Sequence, residues 1–366
     1  MRVSKLSDSA ANRCGAPSPA LENGGAVMKI DAGGYWPSID QSGDSARAAE
    51  RIGYDGWWSA ETQVDPFLAC AVAAERTRRL DIGTAVAVAF ARNPMTVALQ
   101  ANDLQALSAG RFVLGLGSQI QPHVTRRYSM AWSRPAARMR EFVLAIRAIW
   151  DAWATGQPLD FRGEFYTHTL MTPFFNPGPN PHGNPKIMLG AVGPLMTEVA
   201  GEVADGLVCH PFTTERYLRE VTIPALERGR ASIGRTLDGF EISGPALIVA
   251  RDSASEISAG IEFVKEQIAF YGSTPAYRPV LELHGWGSLQ DELNAMARRG
   301  QWNRMPEMID DDVLNTFAVV GAPLTACAEI ERRYGDLLTR IALAQPDGDE
   351  ERGNPLLETL RARFAL

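Results

Sequence analysis

The stretch Arg79–Ser118, RLDIGTAVAVAFARNPMTVALQANDLQALSAGRFVLGLGS, contains one full repeat of a strand–helix–strand pattern. Leu80–Ala89 is small and β-branched, as a buried strand requires. Asn93-Pro94 then pairs an N-cap residue with a proline at the first helical position, and the helix it opens closes near Gly110. Phe112–Gly117 is the next strand. On the N-terminal side, Met28–Gly33 reads as a strand, Asp44–Ile52 as a helix ended by Gly53, and Gly56–Ser59 as a second strand. Asp65-Pro66 repeats the cap logic for the following helix. These are four β/α steps within about 90 residues, the spacing of a parallel α/β sheet or barrel.

The second half continues the alternation. Ser133–Trp153 places Phe142, Val143, Ile146, Ile149, Trp150 and Trp153 at helical spacing. Residues 154–185 are rich in Pro, Gly and Asn and form a long loop, with a hairpin around Phe161–His168. Strands follow at Lys186–Leu189, Gly206–Cys209, Glu241–Ala250 and Thr339–Ala344. Helices are expected from Gly193 to Ala204, over Thr213–Arg228, and over 254–271 and 288–300. Eight strands separated by helices predict a single α/β domain, a parallel (β/α)8 TIM barrel. The competing architecture is a doubly wound Rossmann sheet. It is disfavoured because Gly33-Gly34 runs into Tyr35-Trp36-Pro37 and not into Gly-x-Gly-x-x-Gly. The domain reading is a flexible extension over 1–27, the barrel over 28–345 with insertions near 154–185 and 272–310, and a helical tail over 346–366.

Composition removes several function classes. The chain has 366 residues, 45% hydrophobic and 22% charged, with a net charge of −7. No basic field is available for nucleic acid or an anionic membrane. No apolar run reaches the length of a membrane span. Cys14, Cys70, Cys209 and Cys327 form no Cys-x-x-Cys pair, and the five histidines show no metal-ligand spacing. The expectation is a reduced cytoplasmic enzyme, without a metal, acting on a small molecule and assembled as a homodimer.

In a barrel the chemistry sits at the C-terminal ends of the strands. Glu61, just past the second strand, is a candidate proton donor or substrate anchor; the plainer alternative is a loop carboxylate or a cap. Thr84, Ala85 and Val86 in strand three, with Gly117 and Ser118 at the end of strand four, are small enough to let a flat ring lie against the backbone. The competing explanation is tight packing. His123 is the default acid–base candidate because histidine is the residue type that ordinarily changes charge near neutral pH; Arg126 and Arg127 beside it suit an anionic substrate or a cofactor tail, and Tyr128 suits the substrate pocket. Trp36 is a further candidate for the substrate pocket. Gly190, Gly193, Pro194, Met196 and Thr197 form a strand–turn–helix start whose free N–H groups suit a phosphate. An ordinary βα turn looks the same in sequence.

The runs IGYDGWWSAETQVDPF (52–67) and 79–118, the helix RMREFVLAIRAIW, the FRGEFY segment and LGAVGPLMTEVAGEVADGLV resemble, in order, the luciferase-like monooxygenase superfamily over residues 28–345. LGLGSQIQPHVTRRYS and NPGPNPHGNP look most like its branch that uses coenzyme F420, a deazaflavin; a sister branch uses reduced FMN. The resemblance implies a ring at the C-terminal mouth supported by a bulge in strand three, often with a non-prolyl cis peptide. The matching bond here is Ala85–Val86. It also implies a phosphate tail at the 190–197 turn. The chain departs from the sugar-phosphate dehydrogenases of that branch. Their Asp-His pair is Ala60-Glu61 here, and a glutamate past the strand-four glycines is Ile120. The function expected is therefore hydride transfer between coenzyme F420 and a small organic substrate. The alternatives are an FMN-dependent monooxygenase and a barrel that binds cofactor without turnover.

Overall fold

The computed structural model describes residues 28–34, 38–245, 247–344 and 354–364. The expected extension over 1–27 and Trp36 lie outside the described residues. Strands β1 (Lys29–Gly34), β2 (Gly56–Ser59), β3 (Asp81–Thr84), β4 (Ala87–Val88) and β5 (Phe112–Gly117) come first. A small antiparallel hairpin of β6 (Phe161–Arg162) and β7 (Thr167–His168) follows, at the expected place. Then come β8 (Lys186–Ala191), β9 (Gly206–Cys209), β10 (Glu241–Pro245), β11 (Leu247–Ala250), β12 (Ala318–Gly321) and β13 (Arg340–Ala344).

The barrel order is β3-β2-β1-β13-β10-β9-β8-β5-β4, and β3 also pairs with β5, which closes the ring. Every barrel pairing is parallel. β3 and β4 are two halves of one strand, so the barrel has eight strands, as predicted. The helices start where their caps say. Asp65 accepts from the N–H groups of Phe67 and Leu68, and Asn93 accepts from that of Met95, each with a proline one residue on.

Three local expectations change. The first helix runs over Ile39–Ile52 with Ser38 as its cap, five residues longer at its start than Asp44–Ile52. Strand seven is split: β10 belongs to the barrel, while β11 leaves it to pair with β12. β12 was not anticipated, because its four residues follow the helix Asp311–Phe317 with no turn residue between them. The chain between β11 and β12 carries a second apolar core, built on Val264, Ile268, Leu281, Leu293 and Phe317 and shared with Phe212 and Tyr217 from the barrel rim. Among the described residues no helix is long and apolar enough to cross a membrane.

Alternation along each strand separates two environments. Ile30, Ala32, Trp57, Ile82, Leu114, Leu116, Ile187, Leu189, Leu207 and Ile341 point outward into the main core against the helices. The alternate positions point inward and form layers. At the lower end, Arg340 is fully buried and forks onto both oxygens of Asp31 at 2.7 and 2.8 Å. It also reaches Asp81 at 2.8 Å and Glu241 at 3.3 Å. Lys29 pairs with Asp81, and Lys186 with Glu241. β13 and β3 are not neighbours in the ring, so the Arg340–Asp81 contact crosses the barrel interior. Burial disfavours the Arg340 charge, but the carboxylates of Asp31, Asp81 and Glu241 outweigh it and raise its pKa. Above this layer Trp58, Val113 and Met188 form an apolar plug. Glycines make the room: a side chain at Gly56 would strike Asp31 and Arg340, and one at Gly83 would strike Trp58.

Removing one member of a buried ion pair leaves the other charge unpaired, at a cost of about 3–5 kcal/mol. Arg340→Met is therefore expected to lower the urea-unfolding free energy by about that amount, whereas the half-exposed Lys29→Met costs less than about 1 kcal/mol. Equal losses in the two variants would contradict this assignment.

Candidate active site

At the upper, C-terminal end of the barrel the inward positions become small. Gly33, Gly117 and Gly190 stand there, with Ala342 beside Gly33. The Ala85–Val86 peptide is cis, at the bond the resemblance singles out, and it separates β3 from β4. Val86 lies over both glycines of the neighbouring strands. A Cβ on Gly117 would sit 2.5 Å from one Val86 methyl, and one on Gly190 would sit 3.1 Å from the other. Ala85, Val86, Gly117 and Gly190 are thus gathered into one apolar floor, with the Trp58–Val113–Met188 plug beneath it. Thr84 is beside this floor but turned from it. Its hydroxyl donates to the Gly115 carbonyl (2.6 Å) and accepts from the Gly115 N–H (3.0 Å), which stitches β3 to β5.

Glu61 is at the rim and nearly buried. Its Oε2 accepts from the Val88 N–H at 2.7 Å and from Arg92 at 2.5 Å, and its Oε1 accepts from the Tyr128 hydroxyl at 2.8 Å. Arg92 bridges on to Asp65 at 2.8 Å. The carboxylate thus satisfies the Val88 N–H just past the strand break and pairs with the Arg92 guanidinium. Burial and the hydrogen bond to Glu61 push the Tyr128 hydroxyl up to about 12, so it remains a donor at neutral pH. Glu61 is thus an anchor between the second and fourth βα loops. Arg127 reinforces the same junction through the Thr62 carbonyl at 2.9 Å.

His123 and Arg126 are exposed on one wide helical turn, closed by the Tyr128 N–H on the His123 carbonyl at 3.0 Å. With Pro122 and Arg127 they line an open pocket at the mouth. Ser118 is half-buried and donates to the Gln119 carbonyl. The helix Pro194–Val203 begins at Gly193 without a capping side-chain hydrogen bond, and among the described residues nothing lies within 4 Å of where a Gly193 Cβ would be. Met196 is half-buried there and Pro194 is exposed. Thr197 is turned inward, with its hydroxyl on the Gly193 carbonyl.

Sequence reasoning missed His210. It follows β9 directly, at a strand end, and that position was its signal; among the histidines the acid–base expectation rested on His123 alone. Its Nδ1 accepts from the Phe212 N–H at 3.0 Å and its Nε2 is 3.1 Å from the Tyr277 hydroxyl. Tyr271 meets the imidazole edge-on at 4.8 Å, and Tyr277 lies over it at 4.5 Å. Burial among these rings pushes the His210 pKa down to about 4. Tyr271 and Tyr277 come from the β11–β12 excursion and carry no strand-end signal of their own.

A sequence model described as luciferase-like monooxygenase matches residues 19–340. An uncharacterized protein of Mycobacterium tuberculosis is 48% identical over 338 residues, 92% of this chain and 99% of that protein. A putative coenzyme F420-dependent oxidoreductase of the same organism is 29% identical over 304 residues, covering 79% of this chain and 86% of its own. The structure of a coenzyme F420 dependent tetrahydromethanopterin reductase from Methanopyrus kandleri superposes with a TM-score of 0.74 at 18% identity, covering 93% of this chain and 98% of that one.

The depressed His210 pKa has a consequence for stability. Between about pH 6.5, its unfolded value, and about pH 4, the unfolded chain binds a proton that the folded protein does not. Its contribution is fully present above pH 6.5 and is lost as the pH falls through that window. Unfolding free energy measured in urea is expected to fall more steeply from pH 7 to pH 4.5 in the wild type than in His210→Gln, and parallel pH dependences would contradict this.

Proposed function

Because the chain belongs to the luciferase-like monooxygenase family, we propose that it is an oxidoreductase that holds coenzyme F420 at the barrel mouth and moves a hydride between it and a small organic substrate. The observation that carries this reading is the floor of Ala85 and Val86, with the Val86 methyls lying over Gly117 and Gly190, apolar and without a polar side chain. Such an apolar floor fits the face of a planar heterocycle. The uncapped helix start at Pro194–Val203 offers the Leu195 and Met196 N–H groups to a phosphate on the cofactor tail. The relative named as a putative coenzyme F420-dependent oxidoreductase supports the choice of deazaflavin.

When bound, the cofactor would accept or deliver the hydride, and the protein's share is position and polarity. The floor supports one face of the ring. Glu61 holds the second βα loop to the third through Arg92 and to the fourth through Tyr128. The exposed Arg126 and Arg127, beside His123, supply a local positive edge, in a chain of net charge −7, for an anionic part of cofactor or substrate. The second reading, an FMN-dependent monooxygenase, is favoured by the description of the matched family itself.

Titration with coenzyme F420 and with FMN, following tryptophan fluorescence, separates the two. Micromolar binding of coenzyme F420 with weaker FMN binding is expected; tight FMN binding without deazaflavin binding would overturn the first reading. Among the described residues, a Cβ on Gly33 would meet the Ala342 methyl at 3.9 Å and nothing nearer. Gly33→Leu is therefore expected to fill the mouth and weaken cofactor binding by more than about tenfold while leaving the thermal midpoint unchanged. Undiminished binding in this variant would exclude the floor as the cofactor site.

A further inference from the structure

We infer that Arg126 and Arg127, with His123 beside them, form an oxyanion-binding site at the barrel mouth, and that the group it takes is a carboxylate or phosphate carried by the substrate. The assignment to the substrate rests on the cofactor reading above; the anion site does not.

The segment is tied down by its backbone and leaves its charged side chains outside. The Tyr128 N–H donates to the His123 carbonyl at 3.0 Å, and the Met130 N–H to the Val124 carbonyl at 3.0 Å. Val124 is fully buried and belongs to the main core. His123, Arg126 and Arg127 are exposed, and with Pro122 they line a pocket of about 350 Å³. That is room for a small molecule.

Charge is the second argument. Arg127 donates to the Thr62 carbonyl at 2.9 Å and lies over the Tyr128 ring at 5.0 Å, so its guanidinium is held in place with further N–H donors unspent. The Arg126 side chain makes no hydrogen bond, ion pair or ring contact among the described residues. The carboxylate at this rim is Glu61, and it is committed to Arg92, the Val88 N–H and Tyr128. The chain has 43 acidic and 36 basic residues, yet among the described residues neither arginine meets a carboxylate. One fixed guanidinium and one free guanidinium beside it match the fork geometry of a bound oxyanion.

Placement assigns the anion to the substrate. Arg127 is fastened to Thr62, just past β2, on one flank of the apolar floor. The uncapped helix start at Pro194 follows β8, on the other flank, with the β3–β4 break and β5 between them. A cofactor with its ring on the floor and its phosphate at Pro194 leaves the Arg126–Arg127 edge to the second reactant.

The test starts with the full chain without cofactor. Succinate, inorganic phosphate and the neutral dimethyl succinate are titrated in turn while the His123 imidazole signals are followed by NMR, identified by their loss in His123→Gln. Saturable shifts are expected with succinate or phosphate and none with the ester. Arg126→Gln is expected to weaken anion binding by more than about tenfold, and Arg126→Lys, which keeps the charge but not the fork, by about threefold. The thermal midpoint of Arg126→Gln should stay at the wild-type value, which separates lost binding from lost folding. Arg298→Gln, at an exposed arginine outside this pocket, should bind as the wild type does. An equal response to the ester, or undiminished anion binding in Arg126→Gln, would overturn the inference. Coenzyme F420 is then added to the succinate-saturated protein. Simultaneous binding supports the substrate assignment. Competition, with the affinity for coenzyme F420 falling about tenfold in Arg126→Gln, would give the site to the cofactor tail and overturn that assignment. Anion binding at Arg126 in a protein that does not bind coenzyme F420 would overturn the cofactor reading and uphold the anion site.

Discussion

Arg340 joins the last strand of the barrel to the first through Asp31 and reaches across the interior to Asp81 on the third. Three cations, Arg340, Lys29 and Lys186, meet three carboxylates, Asp31, Asp81 and Glu241, in one layer at the lower end. A charge buried alone would be untenable, so the layer holds only while all contributing strands are in register. That register sets the height of every inward residue above it. Trp58 comes to fill the middle, and Gly33, Gly117 and Gly190 come to the top. The lower half of the barrel is thus filled by large and charged side chains, and the inward positions of the upper half among the described residues are small.

The rim is built differently. Its polar groups are tied to one another before any ligand is present. Glu61 is held by Arg92, Tyr128 and the Val88 N–H. His210 is held by the Phe212 N–H, Tyr277 and Tyr271. Each set joins loops distant in the chain, which is what a site needs if its side chains are to keep their places without rearrangement. Against these fixed groups, His123 and Arg126 are the exposed, adaptable part of the mouth.

The barrel strands were legible because each carries its own local signature. KIDAGG, GWWS, FVLGLG and GLVC are short apolar runs in which Ile30, Trp57, Leu114 and Leu207 face the helices and Asp31, Trp58, Val113 and Val208 face inward. The helix starts at Asp65-Pro66 and Asn93-Pro94 were legible for the same reason, since capping is a contact within three residues. The cis Ala85–Val86 bond was reached only through resemblance. The division of the seventh strand between two sheets was not legible, because nothing local in EISGP or LIVA states which partner each half will find.

By itself, then, the sequence determined the eight parallel strands, the glycines at their upper ends and the small-residue start of the helix at 194, all products of short-range spacing. Tertiary structure alone decided which polar residues face one another. It turned Glu61 from a candidate proton donor into an anchor, because Arg92, thirty-one positions away, lies against it. It brought Tyr277 to His210 across sixty-seven positions of chain. Hydrogen bonds and ion pairs act over a few ångströms of space and are blind to distance along the chain, and only the closed barrel with its β11–β12 excursion brings those groups within reach.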